Sequence, residues 1–117
     1  MQQSQFMFNS ISSYKILWIQ VLFDLPVTTK KQRQSATKFR NSLLDLGFEM
    51  AQFSVYQKFC NGTELAEKYI KYVEKLVPEL GKVHILKFTD KQYENMITFN
   101  GKANKKSPKN PTQYELF

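Results

Sequence analysis

The stretch Lys15-Ile-Leu-Trp-Ile-Gln-Val-Leu-Phe23 constrains the fold more than any other part of the chain. It is rich in β-branched and aromatic residues and almost continuously apolar. Runs of this kind are sheet strands covered on one face and partly on the other. Asp24-Leu-Pro26 ends the run, because proline cannot continue a central hydrogen-bond ladder. The run is too short to cross a bilayer and is interrupted by Gln20, so no membrane partner is expected. Residues 1–14 are polar with scattered Phe and Met and read as a disordered extension. They carry neither a basic leader nor an apolar block of signal-peptide length, and the expectation is a cytoplasmic protein.

The elements that follow are marked by their caps. Thr29-Lys-Lys-Gln32 has the spacing of a capping box and opens a helix from about Lys30 to Leu46, stopped by Gly47. At about 100° per residue, Ala36, Phe39, Leu43 and Leu46 share one stripe. Phe48 to Phe59 reads as extended. Ala51, Phe53 and Val55 fall on one face, and Met50, Gln52, Ser54 and Tyr56 on the other. The apolar phase changes along this segment, which predicts a bend or a tight reversal near Ala51 to Phe53. Asn61-Gly62 is a turn, and Thr63 is expected to cap a second helix to about Val77. Leu65, Ala66, Tyr69, Ile70, Val73 and Leu76 form its stripe, with Glu64–Lys68 and Glu67–Lys71 as surface pairs. A strand over Lys82 to Phe88 follows Gly81. Thr89-Asp-Lys-Gln92 repeats the cap spacing and opens a short helix or turn to about Met96, and Ile97-Thr-Phe99 reads as a short strand.

This order predicts an α+β, ferredoxin-like sandwich over residues 15–99, with two helices on one face of an antiparallel sheet. At 117 residues the chain is one domain. One cysteine, Cys60, and one histidine, His84, exclude a disulfide scaffold and a zinc domain. The second sheet face is left bare. Gln52, Ser54 and Tyr56 are too mixed for either solvent or core, so the expected cover is a second copy, giving a homodimer. Residues 100–111 form a basic linker and residues 112–117 a final strand. A hairpin loop needs only about two to five residues. The 12-residue linker from Asn100 to Pro111 can instead span about 35 Å. It is therefore expected to carry Tyr114, Leu116 and Phe117 onto the partner's sheet edge.

The net charge of +7 points to a polyanion, and its distribution sharpens that. Between Lys30 and Leu46, the five basic residues Lys30, Lys31, Arg33, Lys38 and Arg40 face one acid, Asp45. Lys30 and Lys31 oppose the helix dipole, a placement that suits phosphate binding and otherwise leaves them as solvated lysines. Lys102, Lys105 and Lys106 in the linker are further candidate phosphate contacts. Asp24 ends an apolar strand just before a helix. It reads either as a turn residue or as the one carboxylate that, with waters and a phosphate, holds Mg²⁺. A two-fold pairing of bare sheet faces would let two Asp24 side chains share the ion. The sequence has no phosphate-cradling glycine loop, and Lys82 to Phe88 lacks the Gly-aromatic signature of an RNA-recognition strand.

Phe23-Asp-Leu-Pro26 after an apolar strand, the basic helix, Gln52-Phe-Ser-Val-Tyr56, and Gly81-Lys-Val-His-Ile-Leu-Lys-Phe-Thr-Asp90 followed by Gln92 occur in a fixed order. Together they resemble the CRISPR-associated Cas-two family, from about Lys15 to Phe117. The resemblance implies a homodimeric, ferredoxin-like scaffold in the spacer-acquisition complex. It implies Cas-one integrase dimers as partners and double-stranded DNA as ligand. In some members it implies Mg²⁺-dependent endonuclease activity on RNA or DNA, through an aspartate matching Asp24. Arg33 stands near a family helix arginine that assists phosphate binding. Phe23 stands where several members carry Tyr, which removes a hydroxyl beside the metal. The leading expectation is an architectural DNA-binding subunit with secondary nuclease activity. The alternative is a stand-alone Mg²⁺-dependent endoribonuclease of toxin type, acting on single-stranded RNA.

Overall fold

A computed structural model describes residues 16–102. The apolar run forms β1, Ile16–Asp24. It is the central strand, pairing antiparallel with β3 (Val55–Asn61) on one side and β4 (Lys82–Thr89) on the other. β2 (Glu49–Gln52) pairs antiparallel with β3, giving the order β2-β3-β1-β4. Helix α1 (Lys30–Asp45) joins β1 to β2, and α2 (Thr63–Leu76) joins β3 to β4. This order of elements and strands is ferredoxin-like, as the sequence predicts. A short helix, α3 (Asp90–Glu94), follows β4.

Alternation along β1 divides the sheet into two unlike faces. Ile19, Val21 and Phe23 are buried and pack with Phe39 and Leu43 of α1 and Ala66 and Val73 of α2. Trp18, Gln20, Leu22 and Asp24 point to the opposite, open face, along with their register partners Phe59, Gln57 and Val55 on β3 and Phe88, Leu86, His84 and Lys82 on β4.

Both capping boxes form as predicted. The Thr29 hydroxyl accepts from Gln32 N–H, while the Gln32 side chain accepts from Thr29 N–H; Thr89 and Gln92 repeat the arrangement. Gly47 ends α1 at φ 94°, a conformation glycine alone adopts freely. Thr63 is not a cap. Gly62, at φ 108°, holds the N-cap position without a side-chain bond, and Thr63 is the first helical residue. Nor does Ile97-Thr-Phe99 form a strand: α3 lays Tyr93 over Trp18 and Phe88 on the open face, and residues 97–99 pair with no strand of the sheet. Ile97 and Phe99 are left 79% and 88% exposed.

The predicted reversal is present at Phe53-Ser54, and the β2–β3 register shifts between Met50 and Gln52. This changes which side chains share a face. Tyr56, opposite Val21, is buried 5.7 Å from the Phe23 ring, on the helix side of the sheet. It therefore does not share a face with Gln52 and Ser54. Gln52 pairs with Val55, while Ser54 lies in the turn. Residues 1–14, Lys105, Lys106, most of the linker, and Tyr114, Leu116 and Phe117 lie outside the described residues.

Candidate nucleic-acid interface and carboxylate site

Asp24 is exposed at the end of β1, on the open face. Its place is set by β4 and by the glycine that precedes β4. Gly81 has φ 104°, and a Cβ there would meet Leu25 Cδ2 at 2.7 Å and the Asp24 carbonyl oxygen at 2.9 Å. Only glycine lets the α2–β4 connection press this closely on the end of β1. In the register that results, Asp24 lies opposite Lys82 and Leu22 opposite His84. His84 is thus the diagonal neighbour of Asp24, within about 7–8 Å at the backbone. Both Lys82 and His84 are exposed. The sequence places His84 in a strand but gives it no neighbour. The pairing of β1 with β4 supplies one, and that register is not written in either segment alone.

Among the described residues, no group of three or more His, Cys, Asp or Glu side chains is arranged to hold a metal. In the β1–β4 register the neighbours of Asp24 are Lys82 and His84 rather than a second carboxylate. Mg²⁺ typically takes one or two carboxylates, with waters and phosphate oxygens completing its octahedron. An exposed, accessible Asp24 fits that role as one ligand of a set completed from elsewhere.

The basic residues of α1 divide into three groups. Lys30, Arg33 and Lys38 line one exposed surface with Gln34, Thr37, Asn41, Ser42 and Asp45. Arg33 is braced on it, its Nη1 donating to the carbonyls of Val27 and Thr28 at 3.2 and 3.0 Å. Lys31 lies elsewhere, beside Leu25, Pro26 and Pro78 to Leu80. Arg40 is not a free surface cation. Its guanidinium lies 5.7 Å from the Phe23 ring centroid and 4.3 Å from that of Phe53, and its buried Nε has no partner. Lys102 is exposed beyond the last element. Helix α2 contributes no comparable surface: its Glu67 accepts from Lys87 of β4 at 2.8 Å, which holds the carboxyl below its ordinary range.

The open face carries apolar and polar groups together. Phe59 and Leu86 are about half exposed. At one end Tyr93 of α3 stacks on Trp18, with centroids 4.1 Å apart, and Gln57 Nε2 donates to its hydroxyl at 3.1 Å. No helix of the described residues is long and apolar enough to cross a membrane.

The chain is similar in sequence to known proteins. Residues 17–96 match the family described as CRISPR associated protein Cas2. The chain is 49% identical over 107 residues to a protein of Paracidovorax avenae named CRISPR-associated endoribonuclease Cas2, covering 92% of this chain and 99% of that one. A protein of the same name from Flavobacterium psychrophilum is 44% identical over 110 residues, covering 94% and 96%. One from Campylobacter jejuni is 39% identical over 109 residues, covering 88% and 73%. With its βαββαβ sheet, its carboxylate at the end of β1 and a family match across that whole unit, the chain belongs to the Cas2 family.

Proposed function

We propose that the chain is an architectural, nucleic-acid-binding subunit of a CRISPR spacer-acquisition complex, acting as a homodimer beside Cas-one integrase dimers. Double-stranded DNA is its main ligand. The observation that carries this reading is the separation of two surfaces on opposite sides of one sheet. Lys30, Arg33 and Lys38 present an exposed cationic surface on the helix side, suited to a phosphate backbone. Leu22, Val55, Phe59 and Leu86 present an incompletely covered apolar surface on the other, suited to a second copy. A scaffold needs both at once. Sedimentation of the protein with a blunt DNA duplex tests the reading: a dimer binding duplex with a strong salt dependence supports it, and a monomer indifferent to DNA overturns it.

Cleavage is the secondary activity. The relatives' names point to RNA, and exposed Asp24 supports a metal-dependent reaction, with Mg²⁺ held by Asp24 and by a second Asp24 contributed through the dimer. A bound Mg²⁺ would neutralise phosphate charge and activate water. Within this chain, Asp24 supplies the anionic ligand and Lys82 a positive charge opposite it. A stand-alone endoribonuclease is the competing reading, favoured by those same names. Cleavage of single-stranded RNA without any effect on integration would select it.

A further inference from the structure

We propose that Phe53 is a stacking platform for one unpaired nucleobase, backed by the guanidinium of Arg40; this rests on the reading that the chain binds nucleic acid. Tips of tight turns favour Gly, Asn, Asp and Ser, each for a backbone reason. Here the turn carries an aromatic ring that is 70% exposed. The turn is held in place: Phe23 N–H donates to the Ser54 carbonyl at 3.1 Å, tying it to β1. The ring is braced as well, since Arg40 lies 4.3 Å from its centroid while also packing over Phe23. One side of the ring thus faces a cation and much of the rest faces solvent.

The chemistry of that arrangement selects its occupant. No carboxylate of the described residues pairs with Arg40, and its buried Nε is unpartnered, so among the described residues its charge is uncompensated. An apolar protein surface laid over Phe53 would desolvate that charge without pairing it, which is costly. A nucleotide brings a flat π-face for the ring and a phosphate for the cation. Single-strand sites are built on this combination, an aromatic for the base and arginine for stacking and charge. Arg33 lies seven residues before Arg40 on α1, about 10 Å along the axis. A strand with a base on Phe53 can therefore carry its phosphates along the same helix.

The test uses fluorescence anisotropy with a labelled single-stranded oligonucleotide and copies in which one abasic position is moved along it. In the wild-type protein, one abasic position should weaken binding about tenfold, the scale of one base–aromatic stack. Phe53→Leu should bind the intact strand about tenfold more weakly and be indifferent to the abasic position, while Phe53→Tyr restores the wild-type pattern. Binding of a blunt duplex should be unchanged in Phe53→Leu, which separates this inference from the architectural reading. Equal single-strand affinity in Phe53→Leu and wild type overturns the platform, as does a wild-type protein insensitive to every abasic position. A Phe53→Leu protein that no longer dimerises overturns it too, by assigning the ring to a protein contact. A wild-type protein that binds duplex but not single strands sinks the platform alone; one that binds neither sinks both readings.

Discussion

The indole of Trp18 and the phenol of Tyr93 stack with planes 13° apart, joining the central strand to a helix of five residues. A helix that short has no stability of its own. The contacts that hold it are that stack, a second one between Tyr93 and Phe88, and hydrogen bonds from Gln57 to Tyr93 and from Trp18 Nε1 to Asp90. Trp18 is the chain's one tryptophan, so its emission reports on this contact. Tyr93→Ala should shift that emission to the red and cost about 1 kcal/mol, the scale of an aromatic pair. An unshifted spectrum would mean that α3 does not rest on the sheet.

Asp24→Asn should leave stability within about 0.5 kcal/mol of wild type, because the side chain is exposed. Duplex binding should persist, and any Mg²⁺-dependent cleavage should disappear with the anionic ligand. Cleavage that survives would return Asp24 to the role of a turn residue.

Replacing Lys30, Arg33 and Lys38 by Ala should reduce the slope of log affinity against log salt by about 0.9 for each phosphate no longer neutralised. Lys31→Ala should reduce it less, since Lys31 lies apart beside Pro78 to Leu80. A slope unmoved by the triple variant would place the duplex on the linker lysines instead.

Burial pushes the Cys60 thiol above its ordinary 9.0, against a smaller opposing pull from Lys58. A thiol whose folded value is raised keeps its proton in the native state while the unfolded chain gives it up. Its contribution to stability is intact below about pH 9 and declines as the pH climbs toward the folded value. Cys60→Ala should flatten that alkaline decline in urea midpoints. Thiol reagents should label the wild-type protein slowly until it unfolds.

On the proposed homodimer, with the terminal strand completing the partner's sheet, deleting residues 113–117 should drive the protein toward monomer or aggregate. Analytical ultracentrifugation decides between these outcomes and an unaltered dimer.

What the sequence displays most clearly is punctuation. Thr29–Gln32 and Thr89–Gln92 are local signals, closed within one turn, and both boxes form. The stripes of α1 and α2 are equally plain, since Phe39, Leu43, Ala66 and Val73 obey a period that needs no partner. Strict alternation misplaces Tyr56 because it runs through a turn and a register shift, and each changes the phase. Arg40 reads in the sequence as one more helix cation, and nothing local reveals that Phe53 packs on its guanidinium. The company of Asp24 is hidden for a related reason: Lys82 and His84 come from a strand nearly sixty residues away, in a register set by Gly81. Sites assembled by long-range pairing leave only fragments in the sequence.

Because Phe23 belongs to the core and its neighbour Asp24 to the open face, parity along β1 is an invariant of this fold's geometry. One residue inserted between Ile19 and Asp24 would turn the carboxylate inward and an apolar side chain outward, while a two-residue insertion would keep both orientations. Length variation should therefore gather in the loops flanking α1 and in the α2–β4 connection, where the chain carries no such count. The distance from Trp18 to Asp24 behaves like a reading frame, which tolerates changes in step but not single slips.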